Sequence, residues 1–112
     1  MYTYKAAVMR VVDGDTIIVD IDLGFGVWLR EQSIRMANIN APEIRGVLRE
    51  KGLESKKFLE HIILNKWVTI KTEKDRKGKY GRWIATVLLE EDNNLIDINR
   101  RMIAEGHAVE YF

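Results

Sequence analysis

The chain has 112 residues, 46% of them hydrophobic and 31% charged, with a formal net charge of +1 and no cysteine. Such a length suits one domain, residues 1–112, around a single core, and the absence of cysteine excludes disulfides, thiolate metal sites and cysteine nucleophiles, leaving oxygen or imidazole to hold any metal. No apolar run approaches the roughly 18 residues of a membrane span, and the start, Met1-Tyr2-Thr3-Tyr4-Lys5, lacks the basic and apolar regions of a signal peptide, so a cytoplasmic protein or a trimmed, mature secreted form is expected.

Residues 2–12 alternate loosely and end in Val11-Val12, as a first strand would. Asp13-Gly14 between two apolar runs is a hairpin signal and predicts a type I′ turn, with positive φ at both central positions. The return strand, 15–22, puts Ile17, Val19 and Ile21 on one face and Thr16, Ile18, Asp20 and Asp22 on the other. Gly24 and Gly26 punctuate, and a third strand is predicted in two pieces over 27–37, completing an antiparallel meander. Its end alternates Ile34 and Met36 against Arg35, Ala37 and Ile39. Pro42, which has no N–H for a sheet ladder, then turns the chain out and presents Glu43 in a fixed direction.

After Pro42 the pattern changes period. Phe58, Leu59, Ile62 and Ile63 make one face of a helix predicted over 50–64, with Gly52 weakening its first turn. A strand follows over 67–72, then a basic loop, a strand over 83–89, a turn at 91–94 and a short helix from 96 or 97 to 105, stopped by Gly106. Five short strands, a helix after the third and another at the end predict a mainly β, α+β fold: a five-stranded OB-type Greek-key barrel. A closed barrel without heptads predicts a monomer.

Charge is distributed unevenly. Residues 1–24 hold Asp13, Asp15, Asp20 and Asp22 against Lys5 and Arg10, whereas 71–82 holds six cations against Glu73 and Asp75. Lys71, Lys74, Arg76, Lys77 and Lys79 read either as a footprint for a polyanion or as a solvated loop. Arg35 and Arg82 each offer a planar fork that donates two hydrogen bonds to phosphate oxygens and stays charged. Glu43 is a carboxylate suited to take a proton from water. Each also has a plainer reading: Asp15 as a solvated strand residue, Arg35 as an ion-pair partner of Glu31 or Glu43, Glu43 as a turn carboxylate. His61 reads as a surface residue and His107 as a packing residue near the C-terminus. Trp28, Trp67 and Trp83 read as core or rim, with Trp83 beside Arg82 a candidate to stack on a base.

Three segments stand out together: Val12-Asp13-Gly14-Asp15-Thr16, Ile34-Arg35 through Asn40-Ala41-Pro42-Glu43, and Lys79-Tyr80-Gly81-Arg82. In order and spacing they resemble the motifs of the staphylococcal nuclease (thermonuclease) family, over nearly the full chain. The resemblance implies an OB-fold barrel and Ca²⁺-dependent hydrolysis of DNA and RNA with weak base specificity. It implies Asp15, Asn40 and the Ala41 carbonyl as metal ligands, Arg35 and Arg82 as phosphate-binding residues, Glu43 as general base, and Tyr80, with Lys79 and Trp83 nearby, at the nucleotide. Asn40 departs from the family, which has a carboxylate there. Fewer ligand charges lower Ca²⁺ affinity, leaving another divalent ion open, and with it a runner-up function: a catalytically weakened module that binds nucleic acid or protein.

Overall fold

A computed structural model describes residues 2–72 and 81–111. The expected cation footprint at Lys74, Arg76, Lys77 and Lys79, together with Tyr80, lies outside the described residues. Strands β1 (Tyr2–Asp13), β2 (Thr16–Asp22) and β3 (Trp28–Met36) form the antiparallel meander. Next come the two-residue strand β4 (Ile39–Asn40), a 3₁₀ turn over Gly46–Leu48 and helix α1 (Arg49–Ile63). The chain ends with β5 (Trp67–Thr72), β6 (Trp83–Glu91), β7 (Asn94–Asp97), helix α2 (Ile98–Ala104) and β8 (Val109–Glu110).

The sheet runs β3-β2-β1-β5-β6 and closes on itself where β3 pairs in parallel with β6, Ile34 opposite Trp83 and Met36 opposite Ala85. Closure yields the five-stranded barrel of OB type. Strand β1 serves two neighbours, β5 along its first half and β2 from Lys5 to its end, and a register shift between Val8 and Arg10 gives it the bend that this requires. Inside lie Val8, Ile17, Val19, Ile34, Ile70 and Val87, all at most 1% exposed. Helix α1 covers the barrel with the expected stripe: Leu59, Ile62 and Ile63 are buried and Phe58 packs beside them. Helix α2 adds Ile98 and Met102, and Asp97 caps it by accepting the Arg100 N–H at 3.0 Å. Among the described residues no helix is long and apolar enough to cross a membrane.

Four expectations need correction. The Asp13-Gly14 turn is not type I′, because neither Gly14 nor Asp15, the two residues between the paired Asp13 and Thr16, has positive φ. Glycine is required at 14 by crowding, as a Cβ there would lie 2.7 Å from Ala41 Cβ. Strand β3 is one piece, carrying a bulge at Glu31 (φ 53) where the register with β2 slips between Val19 and Ile21. The alternation read through Ile39 breaks at Asn38 (φ 63), and Ile39 returns to the core at 1% exposure. Residues 94–97 are a strand, joined to β6 by a tight turn with Asp92 and Asn93 both at positive φ.

Candidate active site

The cluster is assembled by three neighbouring strands. Thr16 opposes Arg35 across β2 and β3, and Arg35 lies opposite Ile84 across the parallel seam, two residues along the chain from Arg82. Residues far apart in sequence thereby share one end of the barrel. The Asp13 carboxylate accepts the Asp15 N–H at 3.1 Å, which shapes the turn and aims Asp15 inward. Asp15 is 6% exposed and fully engaged: Oδ2 accepts the Ala41 N–H at 2.8 Å, and Oδ1 accepts the Thr16 hydroxyl at 3.1 Å.

Arg35 lies over this carboxylate, Nη1 being 3.5 Å from Asp15 Oδ2 and donating to the Met36 carbonyl at 3.0 Å, while Nη2 reaches Asn40 Oδ1 at 3.5 Å. Its ion-pair partner is therefore Asp15. Glu31 pairs with Arg10 instead, at 3.7 Å. Arg82 Nη1 donates to the Thr16 hydroxyl at 3.4 Å. Thr16 thus links the Asp15 carboxylate to the second arginine, a role its place in the Asp-Gly-Asp-Thr run signals only once the strands are paired.

Asp13 adds a second acid to the turn. Burial, then the hydrogen bond and negative charge of Asp15, push its carboxyl up to about 6. The two acids share one half-buried turn, and of the two it is Asp15 that is expected to face a metal. The remaining oxygens expected there, the Asn40 amide and the Ala41 carbonyl, are hard, neutral donors of the kind Ca²⁺ accepts. Among the described residues no three His, Asp or Glu side chains converge in a group that could hold a metal; Asp15, Asn40 and Ala41 offer one carboxylate and two neutral oxygens.

The other expected residues fall in different places. Glu43 is exposed, just past the half-buried Pro42. Trp83 is half-buried and donates from Nε1 to Gln32 Oε1 at 2.9 Å. It lines a small apolar cavity of about 80 Å³ with Tyr4, Ile21, Leu29 and Ile70. Lys79 and Tyr80 lie outside the described residues. His61 is exposed, and His107 stacks on Phe58 with ring centroids 4.4 Å apart. Sequence reasoning gave Asp13 no part beyond the turn and missed the crowding at Gly14 and Gly52.

The staphylococcal nuclease homologue family matches over residues 33–112. The chain is 34% identical over 109 residues to the thermonuclease of Staphylococcus hyicus, an alignment covering 95% of this chain and 57% of that protein. It is 31% identical over 129 residues to an uncharacterized protein of Methanocaldococcus jannaschii, covering 96% and 59% respectively. To the endonuclease YhcR of Bacillus subtilis it is 28% identical, over 97% of this chain and 9% of that much longer protein. The chain thus spans a little over half the length of the first two relatives. With the barrel closed, the family matching over residues 33–112 and the relatives aligning with nearly all of the chain, the chain belongs to the staphylococcal nuclease homologue family.

Proposed function

We propose that the chain is a metal-dependent phosphodiesterase cleaving DNA or RNA with little sequence preference. The observation that carries this reading is the convergence of Arg35 and Arg82 on Asp15 and Thr16. A phosphodiester resists attack because it is an anion, so a site that cleaves it must supply positive charge where the transition state gathers negative charge. Arg35 and Arg82 grip the phosphate oxygens and hold the scissile group in line. Asp15 keeps Arg35 oriented and, with Asn40 and the Ala41 carbonyl, would hold a hard cation such as Ca²⁺, which supplies Lewis-acid charge stabilisation when bound. Glu43 takes a proton from the attacking water, a contribution of roughly 10²–10⁴-fold. Two relatives named as nucleases, the thermonuclease and YhcR, support the same chemistry.

Purified protein incubated with single-stranded DNA and with RNA, in Ca²⁺ or in EDTA, tests the proposal, with Glu43→Gln alongside. Cleavage that requires both metal and Glu43 is the expected outcome. One observation favours a second reading, a binding module on the same barrel: Asn40 leaves Asp15 as the sole carboxylate of the inferred metal shell. Wild type and Glu43→Gln that shift the nucleic acid in a gel without cutting it would establish the module instead.

A further inference from the structure

Helix α1 meets the loop that carries Glu43 at a glycine. Gly52 is buried in the first turn of α1, and a Cβ built on it would stand 2.1 Å from the Glu43 carbonyl oxygen, 2.5 Å from its carbon and 2.8 Å from the Ile44 nitrogen. All three are main-chain atoms, so no side-chain rotation relieves the contact. One turn further on, the same helix face presents Ser55. A Cβ on Gly14 would lie 2.8 Å from Ser55 Cβ and 2.7 Å from Ala41 Cβ. Neither Gly14 nor Gly52 has positive φ, so close approach, rather than backbone conformation, requires glycine at both.

Helix α1 is therefore the common seat of two segments, the turn that aims Asp15 and the loop that carries Glu43. The Ser55 hydroxyl donates to the His107 carbonyl at 2.7 Å, tying that seat to the chain beyond α2. Between Glu43 and the seat, residues 45–49 are exposed, and Val47 is fully so. Because the Glu43 side chain is itself exposed, its place is set by the main chain beneath it.

We propose that Gly52 is a positioning residue: its bare Cα lets the Glu43 main chain rest on α1, and this fixes where the Glu43 carboxylate stands relative to Asp15 and the two arginines. The proposal rests on the reading of Glu43 as general base. It follows that the exposed stretch after Glu43 contributes little to that placement.

Gly52→Ala is the direct test. Helix propensity alone would make alanine stabilising here, whereas the crowded seat predicts a lower urea midpoint. At a temperature where near-ultraviolet dichroism shows the variant folded, kcat on single-stranded DNA should fall about tenfold or more, since a carboxylate displaced by an ångström loses much of its effect. KM and the calorimetric Ca²⁺ dissociation constant should stay within about twofold. Leu89→Ala, in the core of β6 away from α1, should lower the urea midpoint without changing kcat in the folded fraction. Unchanged kcat in folded Gly52→Ala overturns the proposal, as does a parallel loss of kcat, KM and Ca²⁺ binding that tracks the unfolded fraction. If Gly52→Ala does not fold, insertion of one glycine after Val47 decides: a kcat within about twofold of wild type supports the seat, and a large drop shows that loop span, not Gly52, places Glu43. An inactive wild type overturns the base assignment together with this proposal, whereas an active wild type with an unaffected Gly52→Ala overturns this proposal alone.

Discussion

At position 40 an amide oxygen stands where a carboxylate would add a second negative charge beside Asp15. Arg35 already answers much of the charge that is present, with Nη1 3.5 Å from Asp15 and Nη2 3.5 Å from Asn40. A cation arriving at Asp15 therefore competes with a guanidinium for one carboxylate. In Asn40→Asp the guanidinium would bridge two carboxylates, leaving net negative charge for the metal. Ligand charge count tunes Ca²⁺ affinity over several orders of magnitude, so Asn40→Asp should tighten Ca²⁺ binding by about tenfold or more in a calorimetric titration. The same substitution sets another acid beside the Arg35–Asp15 pair, and one guanidinium cannot balance two carboxylates, so the metal-free variant should unfold at lower urea than wild type. Equal or weaker Ca²⁺ binding would remove residue 40 from the proposed metal shell.

Among the elements, the bulge in β3 shows what a carboxylate does for a strand. Glu31 sits at φ 53, and its N–H is turned to Asp20 Oδ1 at 2.8 Å, while Arg30 donates to Asp20 Oδ2 at 3.0 Å. The backbone bond, and then Arg30, hold the Asp20 carboxyl below its usual value of 3.8. A folded-state pKa lowered in this way contributes stability above the unfolded value and loses it as pH falls through the folded one. The bulge should thus loosen below about pH 4. Asp20→Asn, which keeps an acceptor for Glu31 but loses the charge, should be less stable than wild type at neutral pH and show a flatter acid limb in urea titrations. None of this was legible in the alternation of residues 15–22, which has no mark for a bulge on the partner strand. Helix α1, β5 and α2 were legible to within a residue or two because α1 and β5 carry their own periods and α2 has its Asp97 cap and Gly106 stop. Strands β4, β7 and β8 were not, since four residues or fewer acquire a ladder only from their neighbours. At the site, the Asp15, Arg35 and Arg82 motifs announced themselves by residue type. Gly14 and Gly52 did not, because close approach between distant segments leaves no local pattern.

For the molecule as a whole, the decisive feature is the short parallel seam between β3 and β6, three residue pairs long, which closes the barrel and brings Arg82 toward Arg35. Met36 lies in that seam, opposite Ala85, with its side chain fully buried. Truncation to alanine removes core volume and should cost about 2–5 kcal/mol in urea denaturation. Val68→Ala, in β5 and also buried, removes core from a strand that carries neither arginine. Both variants lower stability, but only the seam variant should alter the separation of the two guanidinium groups. Under conditions where both remain folded, Met36→Ala should therefore bind a single-stranded oligonucleotide more weakly than Val68→Ala, with a shallower dependence of log affinity on log salt, since each phosphate that an arginine no longer neutralises lowers that slope by somewhat less than one unit. Slopes and affinities that match in the two variants would mean that the arginines hold their phosphates without the seam, and that barrel closure serves stability alone.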